Sequence, residues 1–292
     1  MSIELSAIVL PDRHPPALFL DDVREAEDFG VRTVWTYDHL TWTKLADNPW
    51  YACVPLLAVA AAQTSRVRLG TQVATPNYRH PVPFAKELMT LDRISGGRLE
   101  VGVGAGTEGA DAAVLGGAPW SRAERTARFA EWLDLLDTLL RNPITTVRAE
   151  YYSAVDAHQL PGCVQRPRVP FTVAATGRRA LDLVVRYGQS WVTYGPYGGD
   201  VEPEEWFAAL GKQSQRLSDA LTAAGRATDS VRRLVQLGLD VSWPFESAER
   251  YADTLGRLGE LGFTDVSVHW PRPDTRGVPR DFLPALAAAH GR

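Results

Sequence analysis

The apolar residues of the chain alternate between short runs of strand length and longer stretches with helical spacing. The short runs predict strands at residues 3–9, 33–37, 67–73, 99–103, 171–175, 190–194, 234–241 and 265–269. The longer stretches predict helices at residues 18–29, 55–64, 84–93, 122–140, 179–187, 204–224, 247–261 and 281–289. Regular alternation is typical of a parallel sheet with crossover helices, and eight repeats in 292 residues favour a single (β/α)8 TIM barrel domain over residues 1–292.

The helix predicted at residues 122–140 shows its period most clearly. Its large apolar residues follow one another at steps of 3, 1, 3 and 4, which places them on one face: Phe129, Trp132, Leu133, Leu136 and Leu140. Ser121 precedes the helix and Glu124 follows three residues later, as in a capping box. We therefore expect this helix to pack against the core, and we assign it no functional role.

One segment, residues 142–170, breaks the even spacing. It contains several prolines and a glycine, with Tyr151 and Tyr152 between them. Long connections without regular structure are commonly lids or binding loops, and the tyrosines argue against disorder. We therefore expect an irregular insertion around residues 142–170 that packs over the barrel mouth.

Composition narrows the class of protein. Hydrophobic residues make up 45% and charged residues 23% of the chain, which is typical of a globular domain. A net charge of −4 argues against a nucleic-acid partner. Cys53 and Cys163 stand far apart, which argues against a disulfide scaffold and a metal site. The first residues lack the features of a signal peptide, and no apolar run is long enough to span a bilayer, so we expect a cytoplasmic protein without membrane contact.

Candidate chemistry lies where strands end, because TIM-barrel active sites form at the carboxyl ends of the strands. The second predicted strand leads into Asp38 and His39, with Trp42 close by. A histidine at such a position can act as a general acid or base near neutral pH. The alternative is a histidine that only hydrogen-bonds a loop, and the residues alone leave both open.

The fourth predicted strand ends in a glycine-rich turn. Gly104, Gly106 and Gly109 form a G-x-G-x-x-G string, yet Gly116, Gly117 and Pro119 interrupt the helix that a dinucleotide-binding fold requires. We therefore reject that fold. The glycines still permit close backbone contact with a ligand.

The fifth predicted strand leads through Thr176 and Gly177 to Arg178 at the start of a helix. Free backbone N–H groups, the positive helix end and a guanidinium together favour a phosphate. An ordinary helix cap with solvated arginines is the alternative.

These strand ends, taken in order, resemble the luciferase-like monooxygenase superfamily over nearly the whole chain. The matching strings are AEDFGVRTVWTYDHL, AAAQTSRVRLGTQVATPNYRHP, LDRISGGRLEVGVGAG and PRVPFTVAATGRRALDLVVRYGQSW. The resemblance implies a bacterial-luciferase-like barrel that holds coenzyme F420 or FMN at its mouth. Asp38-His39 and Gly104-Ala105-Gly106 look more like the F420-dependent branch.

Roles for individual residues follow from this resemblance. It implies that His39 exchanges a proton with the substrate and that Asp38 borders the cofactor. The catalytic candidates that it implies are His39, Asp38, Trp42 and Glu108. It implies a cis peptide at Gln72–Val73 in a bulge that backs the cofactor ring. The residues it assigns to cofactor binding are Asp38, Gln72, Val73, Ala74, Thr75, Ala105, Gly106, Thr107, Ala175, Thr176, Gly177 and Arg178.

The resemblance leaves the reaction open. It favours an F420-dependent oxidoreductase that transfers a hydride to or from a small organic molecule. An FMN-dependent monooxygenase and a non-catalytic flavin- or deazaflavin-binding protein are the alternatives. It also implies a homodimer formed through outer helices near the second and third strands.

The chain departs from the family's sugar-phosphate dehydrogenases at several positions. Those enzymes carry a glutamate where this chain has Thr107, with Glu108 next to it, and Trp42 lies one position nearer the histidine. These departures make a sugar-phosphate substrate doubtful. Gln189 and Ser190 replace a common Asp-Gly or Asp-Ala pair, and the sequence gives no functional reason for that change.

Overall fold

A computed structural model of the chain describes residues 3–196, 201–239, 241–274 and 276–292. Its strands are β1 (Glu4–Ile8), β2 (Thr33–Thr36), β3 (Arg68–Ala74), β4 (Leu99–Val103), β5 (Ile144–Arg148), β6 (Ser153–His158), β7 (Phe171–Ala174), β8 (Ser190–Thr193), β9 (Arg232–Gln236) and β10 (Asp265–His269). Its helices are α1 (Ala17–Phe29), α2 (Cys53–Gln63), α3 (Pro81–Ile94), α4 (Arg122–Arg141), α5 (Arg178–Tyr187), α6 (Pro203–Ala223), α7 (Ala248–Glu260) and α8 (Leu283–Ala289).

Eight of these strands close into a barrel in the order β1-β10-β9-β8-β7-β4-β3-β2. Every neighbouring pair in the barrel is parallel, and β1 closes it by pairing with both β10 and β2. The predicted (β/α)8 TIM barrel is therefore confirmed. Its closure brings the carboxyl ends of strands that are far apart in sequence to one rim.

Apolar residues pack in two places. A large cluster lies between the sheet and the helices, and it includes the predicted stripe of α4, whose five residues are all buried. A smaller cluster fills the barrel interior around Trp35. A Cβ at Gly70, the neighbour of Trp35 on β3, would lie 2.4 Å from the indole ring, so glycine makes room for it.

The helix caps follow the sequence. Ser121 accepts a hydrogen bond from the Glu124 backbone N–H at 3.2 Å, which confirms the predicted start of α4.

Among the described helices, none combines the length and the apolar character that a membrane span needs.

The prediction for the seventh barrel strand was wrong in its bounds. Residues 234–241 were expected, but β9 spans Arg232–Gln236. The strand begins earlier because Arg232, polar in the sequence, forms an ion pair with Asp265 at the amino end of the neighbouring strand. Leu239 lies in the loop that follows β9, and Asp240 lies outside the described residues.

The insertion at residues 142–170 is present, but it is not irregular throughout. It contains the antiparallel hairpin β5–β6, a two-stranded sheet separate from the barrel. The hairpin strands escaped prediction because they are short and partly polar, and because one of their faces is exposed to solvent.

The expected position of this insertion over the barrel mouth was wrong. The Glu131 carboxylate of α4 accepts a hydrogen bond from the Tyr151 backbone N–H at 2.7 Å, and the Lys86 side chain of α3 donates a hydrogen bond to the His158 carbonyl at 2.5 Å. The hairpin thus packs on the outer surface of α3 and α4. The reason is connectivity, because a segment between a helix and the next strand starts at the amino end of the barrel, opposite the mouth.

The amino end of the barrel explains Gln189. Its side-chain carbonyl accepts hydrogen bonds from the buried Arg168 guanidinium and from the Phe171 backbone N–H, both at 2.9 Å. Arg168 in turn pairs with Asp137 at 2.6 Å. Gln189 therefore holds the entry to β7, and its departure from the common pattern serves structure at the end opposite the mouth.

Candidate active site

A cavity of about 900 Å³ opens at the carboxyl ends of the barrel strands. This volume is within the range of small-molecule and cofactor sites. Most of the residues that the sequence singles out line it: His39, Trp42, Gln72, Val73, Thr75, Ala105, Gly106, Thr107, Ala175, Thr176, Gly177 and Arg178. Asp38, Ala74 and Glu108 are not part of the lining.

Asp38 is held behind the cavity wall by Arg79. The two side chains form a bidentate pair, with Nε–Oδ2 at 2.5 Å and Nη2–Oδ1 at 2.7 Å, and Asp38 is buried. Burial lowers the pKa of Arg79, but its hydrogen bonds to Asp38 and the charge of that carboxylate raise it above the ordinary value overall. Both carboxylate oxygens thus contact the guanidinium, which makes Asp38 a support for the strand-end loop.

Two other predicted residues also lie outside the cavity. Glu108 is 69% exposed and forms an ion pair with Arg125 at 2.9 Å, on the solvent side of the glycine-rich turn. Ala74 is buried in the main core, and its carbonyl accepts a hydrogen bond from the Gly104 backbone at 2.9 Å. The backbone turn after β4 directs Glu108 outward, which local sequence does not reveal.

The imidazole of His39 lies among aromatic rings at the rim of the cavity. The ring centroids of Tyr37, Trp42 and Trp50 lie 6.0, 6.4 and 6.3 Å from that of His39. Trp50 also donates a hydrogen bond to the His39 carbonyl at 2.9 Å. His39 Nδ1 lies 2.6 Å from Oδ2 of Asp111, which belongs to a short 3-10 turn after the glycine-rich segment.

The cavity floor contains the cis peptide that the sequence resemblance implied. The Gln72–Val73 bond is cis, and the pairing of β3 with β4 shifts register between Thr71 and Ala74. A Cβ at Gly102 would lie 2.0 Å from the Thr71 carbonyl oxygen. Glycine in β4 therefore allows the backbone of that strand to approach the bulge.

A chain of buried polar side chains supports the bulge from inside the barrel. Gln72 donates to Gln236 at 2.6 Å, Gln236 donates to the Tyr37 hydroxyl at 2.5 Å, and that hydroxyl lies 2.9 Å from Nε2 of His269. The Leu237 carbonyl, an acceptor only, lies 3.1 Å from Nδ1 of His269. Gln72 Oε1 is buried without a hydrogen-bond partner among the described residues, so the floor offers an acceptor.

The side of the cavity formed by the starts of α4 and α5 is cationic. Helix α5 begins at Arg178, directly after Thr176 and Gly177, and Arg179 also lines the cavity. Arg122, the first residue of α4, lies so close that a Cβ at Gly177 would be 3.7 Å from its Nη2 atom. Two helix amino termini and their arginines thus converge, which is the arrangement that binds phosphate groups.

Sequence reasoning missed Asp111, Arg122 and Gln236. Asp111 stands in an Ala- and Gly-rich loop and contacts a histidine 72 residues away, so no local spacing marks it. Arg122 was assigned only to a core helix. A count of charged residues at all helix amino termini that face the mouth would have found it.

The sequence of the chain is similar to that of a known protein family. A family model described as luciferase-like monooxygenase matches residues 6–265. The chain belongs to this family. Within it, the chain is 36% identical to a protein of Beutenbergia cavernae named F420-dependent glucose-6-phosphate dehydrogenase, over 90% of this chain and 91% of that one.

Two solved structures with the same fold cover almost the entire chain. The F420-dependent tetrahydromethanopterin reductase of Methanopyrus kandleri superposes with a TM-score of 0.78 at 17% identity, covering 98% of both chains. An F420-dependent secondary alcohol dehydrogenase gives a TM-score of 0.79 at 17% identity, covering 99% of this chain and 98% of that one. At this identity the likeness establishes the shared fold.

The pairing of Asp38 with Arg79 generates a first prediction. We expect Asp38→Asn to lower the free energy of unfolding by about 3–5 kcal/mol, because it removes the buried counter-charge of a largely buried guanidinium and leaves it the exposed Glu87. Urea denaturation measures this. Glu87→Gln is the matched control, since Glu87 contacts the same guanidinium at 3.0 Å from an exposed position. Equal, small effects of the two substitutions would contradict the supporting role of Asp38.

Proposed function

We propose that this protein is a coenzyme F420-dependent oxidoreductase that transfers a hydride between the deazaflavin and an uncharged alcohol or carbonyl compound. The observation that carries the proposal is the division of one cavity into a cationic end and an aromatic end with a histidine. Arg122 and Arg178 lie at the first end, and His39 with Trp42 lies at the second. The name of the Beutenbergia cavernae relative supports the same cofactor.

The residues of the cavity fit such a cofactor. Val73, Ala105 and Ala175 supply small apolar surfaces beside the cis peptide, where a flat ring would be held. The unpartnered Gln72 Oε1 supplies an acceptor for a ring N–H group. The amino terminus of α5 with Arg178 would hold the negatively charged tail.

The chemical roles divide between cofactor and protein. The cofactor supplies a ring carbon that accepts or gives a hydride, so the protein need not generate a redox centre. His39 holds or moves the proton of the substrate oxygen, because its Nε2 atom has no hydrogen-bond partner among the described residues and the side chain lines the cavity. Trp42 and Tyr37 pack beside the same ring, with centroids 6.4 and 6.0 Å from that of His39, and would limit the access of water to that atom.

The substrate wall favours an uncharged compound. Residues of β8 and of the loop after β9 that line this side, such as Val192, Leu239 and Val241, are mainly apolar. Of the lysines and arginines that line the described cavity, Lys44 is the one away from the phosphate-binding end. The undescribed positions carry neither lysine nor arginine in the sequence. In addition to the cluster that would hold the cofactor, the described cavity therefore lacks a second cluster of cations for the phosphate group of a sugar-phosphate substrate.

A homodimer is part of the proposal. Val59 of α2 and Ile94 of α3 are each 45% exposed, and Ile94 lines a shallow groove between the two helices. Exposed apolar side chains on neighbouring helices are typical of an interface between subunits. The pair lies on the outer helices near the second and third strands, where the resemblance implies dimer contacts.

The proposed reaction generates a prediction on His39. We expect His39→Ala to bind F420 as the natural chain does and to lower the rate of hydride transfer by about 10²–10⁴-fold, because proton transfer loses its acid–base group. Stopped-flow absorbance of F420 with secondary alcohols measures the rate. His158→Ala, an exposed histidine on the outer hairpin, is the control.

Other outcomes of that experiment separate the alternatives. Oxygen consumption with reduced FMN and no reaction with F420 would favour a flavin-dependent monooxygenase. F420 binding without turnover of any alcohol or carbonyl compound would favour a non-catalytic binding protein.

The apolar wall generates a prediction on substrate choice. We expect uncharged secondary alcohols or ketones to react with a kcat/KM at least about tenfold above that of glucose 6-phosphate, which is about 1.4 kcal/mol in the transition state. Steady-state kinetics on the same enzyme preparation decides this. Preference for glucose 6-phosphate would overturn the substrate class and leave the F420 proposal intact.

The exposed apolar pair generates a prediction on assembly. We expect the chain to sediment as a dimer and Ile94→Glu to shift it to a monomer, since a buried unpaired charge opposes association. Val155→Glu is the control, because Val155 is 62% exposed on the outer hairpin. A monomeric natural chain, or a dimer that Ile94→Glu leaves intact, would contradict this interface.

A further inference from the structure

We propose that Asp111 is a positioning residue that fixes the tautomer of His39. In this assignment Nδ1 carries the proton of the neutral ring, and Nε2 is the atom that exchanges a proton with the substrate. The tautomer follows from the contacts of Asp111 alone. Its use in turnover rests on the proposed function.

The hydrogen bonds of Asp111 fix the orientation of its carboxylate. Oδ1 accepts hydrogen bonds from two consecutive backbone N–H groups, those of Leu40 and Thr41, both at 3.0 Å. Oδ2 lies 2.6 Å from His39 Nδ1. An ionised carboxylate can only accept, so Nδ1 must donate, and the lone pair of the neutral imidazole is then on Nε2.

This contact is selective for one ring nitrogen. Among the described residues, Asp111 is the hydrogen-bond partner of the imidazole, while the neighbouring aromatic rings contact it only through their faces and edges. Asp111 is almost fully buried, whereas His39 is 27% exposed and lines the cavity. Asp111 also lines the cavity, but both of its carboxylate oxygens are engaged, one by His39 and the other by the backbone N–H groups of the His39 loop, so its role is to orient the ring.

The chemistry of alcohol oxidation shows why the tautomer matters. The hydroxyl proton of the substrate passes to Nε2, and the hydrogen on the same carbon leaves with its electron pair as the hydride that the oxidised deazaflavin accepts. A C=O bond forms, and His39 becomes a cation beside the Asp111 carboxylate. In the reverse direction the Nε2 proton returns to the carbonyl oxygen as the hydride reaches its carbon.

Asp111→Asn inverts the tautomer with little change in shape. The Leu40 and Thr41 N–H groups need an acceptor, so the amide oxygen must remain at the Oδ1 position. The amide NH₂ then points at Nδ1 and donates to it. His39 must carry its proton on Nε2, where it can no longer accept the substrate proton. A comparable Asp→Asn change in a serine protease acts through the wrong tautomer of its histidine.

Nitrogen-15 NMR of the apo-protein tests the assignment directly. Long-range proton–nitrogen correlations at a pH where imidazoles are neutral identify the protonated nitrogen, and His39→Gln assigns the signal. We expect Nδ1–H in the natural chain and Nε2–H in Asp111→Asn. Asp47→Asn, the same change at an exposed site in the loop that carries His39, should keep Nδ1–H. Nε2–H in the natural chain, or an unchanged tautomer in Asp111→Asn, overturns the proposal.

Kinetics with F420 separate this inference from the proposed function. We expect Asp111→Asn to lower kcat by about 10²–10⁴-fold with an unchanged Kd for F420, and Asp111→Glu to recover part of the rate. If Asp111→Asn lowers kcat while His39 keeps its proton on Nδ1, the positioning role is overturned. An inverted tautomer with full turnover would leave the assignment standing and overturn the acid–base role of His39.

Discussion

The closure of eight parallel strands is the constraint on which the candidate site depends. Hydrogen bonding of β1 to both β10 and β2 fixes all strand ends in one ring. His39, Gln72, Gly106 and Arg178 thereby line one cavity although they are separated by tens of residues in sequence. Because each position lies in a strand or within a few residues of its carboxyl end, packing of the barrel core largely sets the distances between them.

Charged side chains divide between the two ends of the barrel. At the amino end, Glu100 contacts Arg32 and Arg68 at 3.1 and 3.3 Å, so the charges there are compensated within the protein. At the mouth, the arginines at the amino termini of α4 and α5 line the cavity and, in our proposal, bind an anion from solution. Arg79 at the same end is instead paired with Asp38 and stabilises the fold.

The sequence predicted the parts of the site that local pattern determines. Strand ends follow from apolar periodicity, and this is why most of the residues singled out in the sequence line one cavity. The cis peptide at Gln72–Val73, which the resemblance implied, is also present. The sequence could not predict side-chain pairing across loops. Asp38 faces Arg79 and Asp111 faces His39 because of how separate loops fold together, and neither pairing leaves a signature in spacing.

In our proposal the cavity binds the deazaflavin through its anionic tail. The first measurement is a titration of the apo-protein with F420, FMN and a deazaflavin without the tail, monitored by quenching of the tryptophan fluorescence, to which Trp42 at the cavity wall contributes. We expect F420 to bind at least about tenfold more tightly than the other two compounds. We expect Arg178→Ala with Arg179→Ala to remove most of the difference between F420 and the deazaflavin without the tail. Equal binding of the three compounds, or preference for FMN, would contradict this proposal.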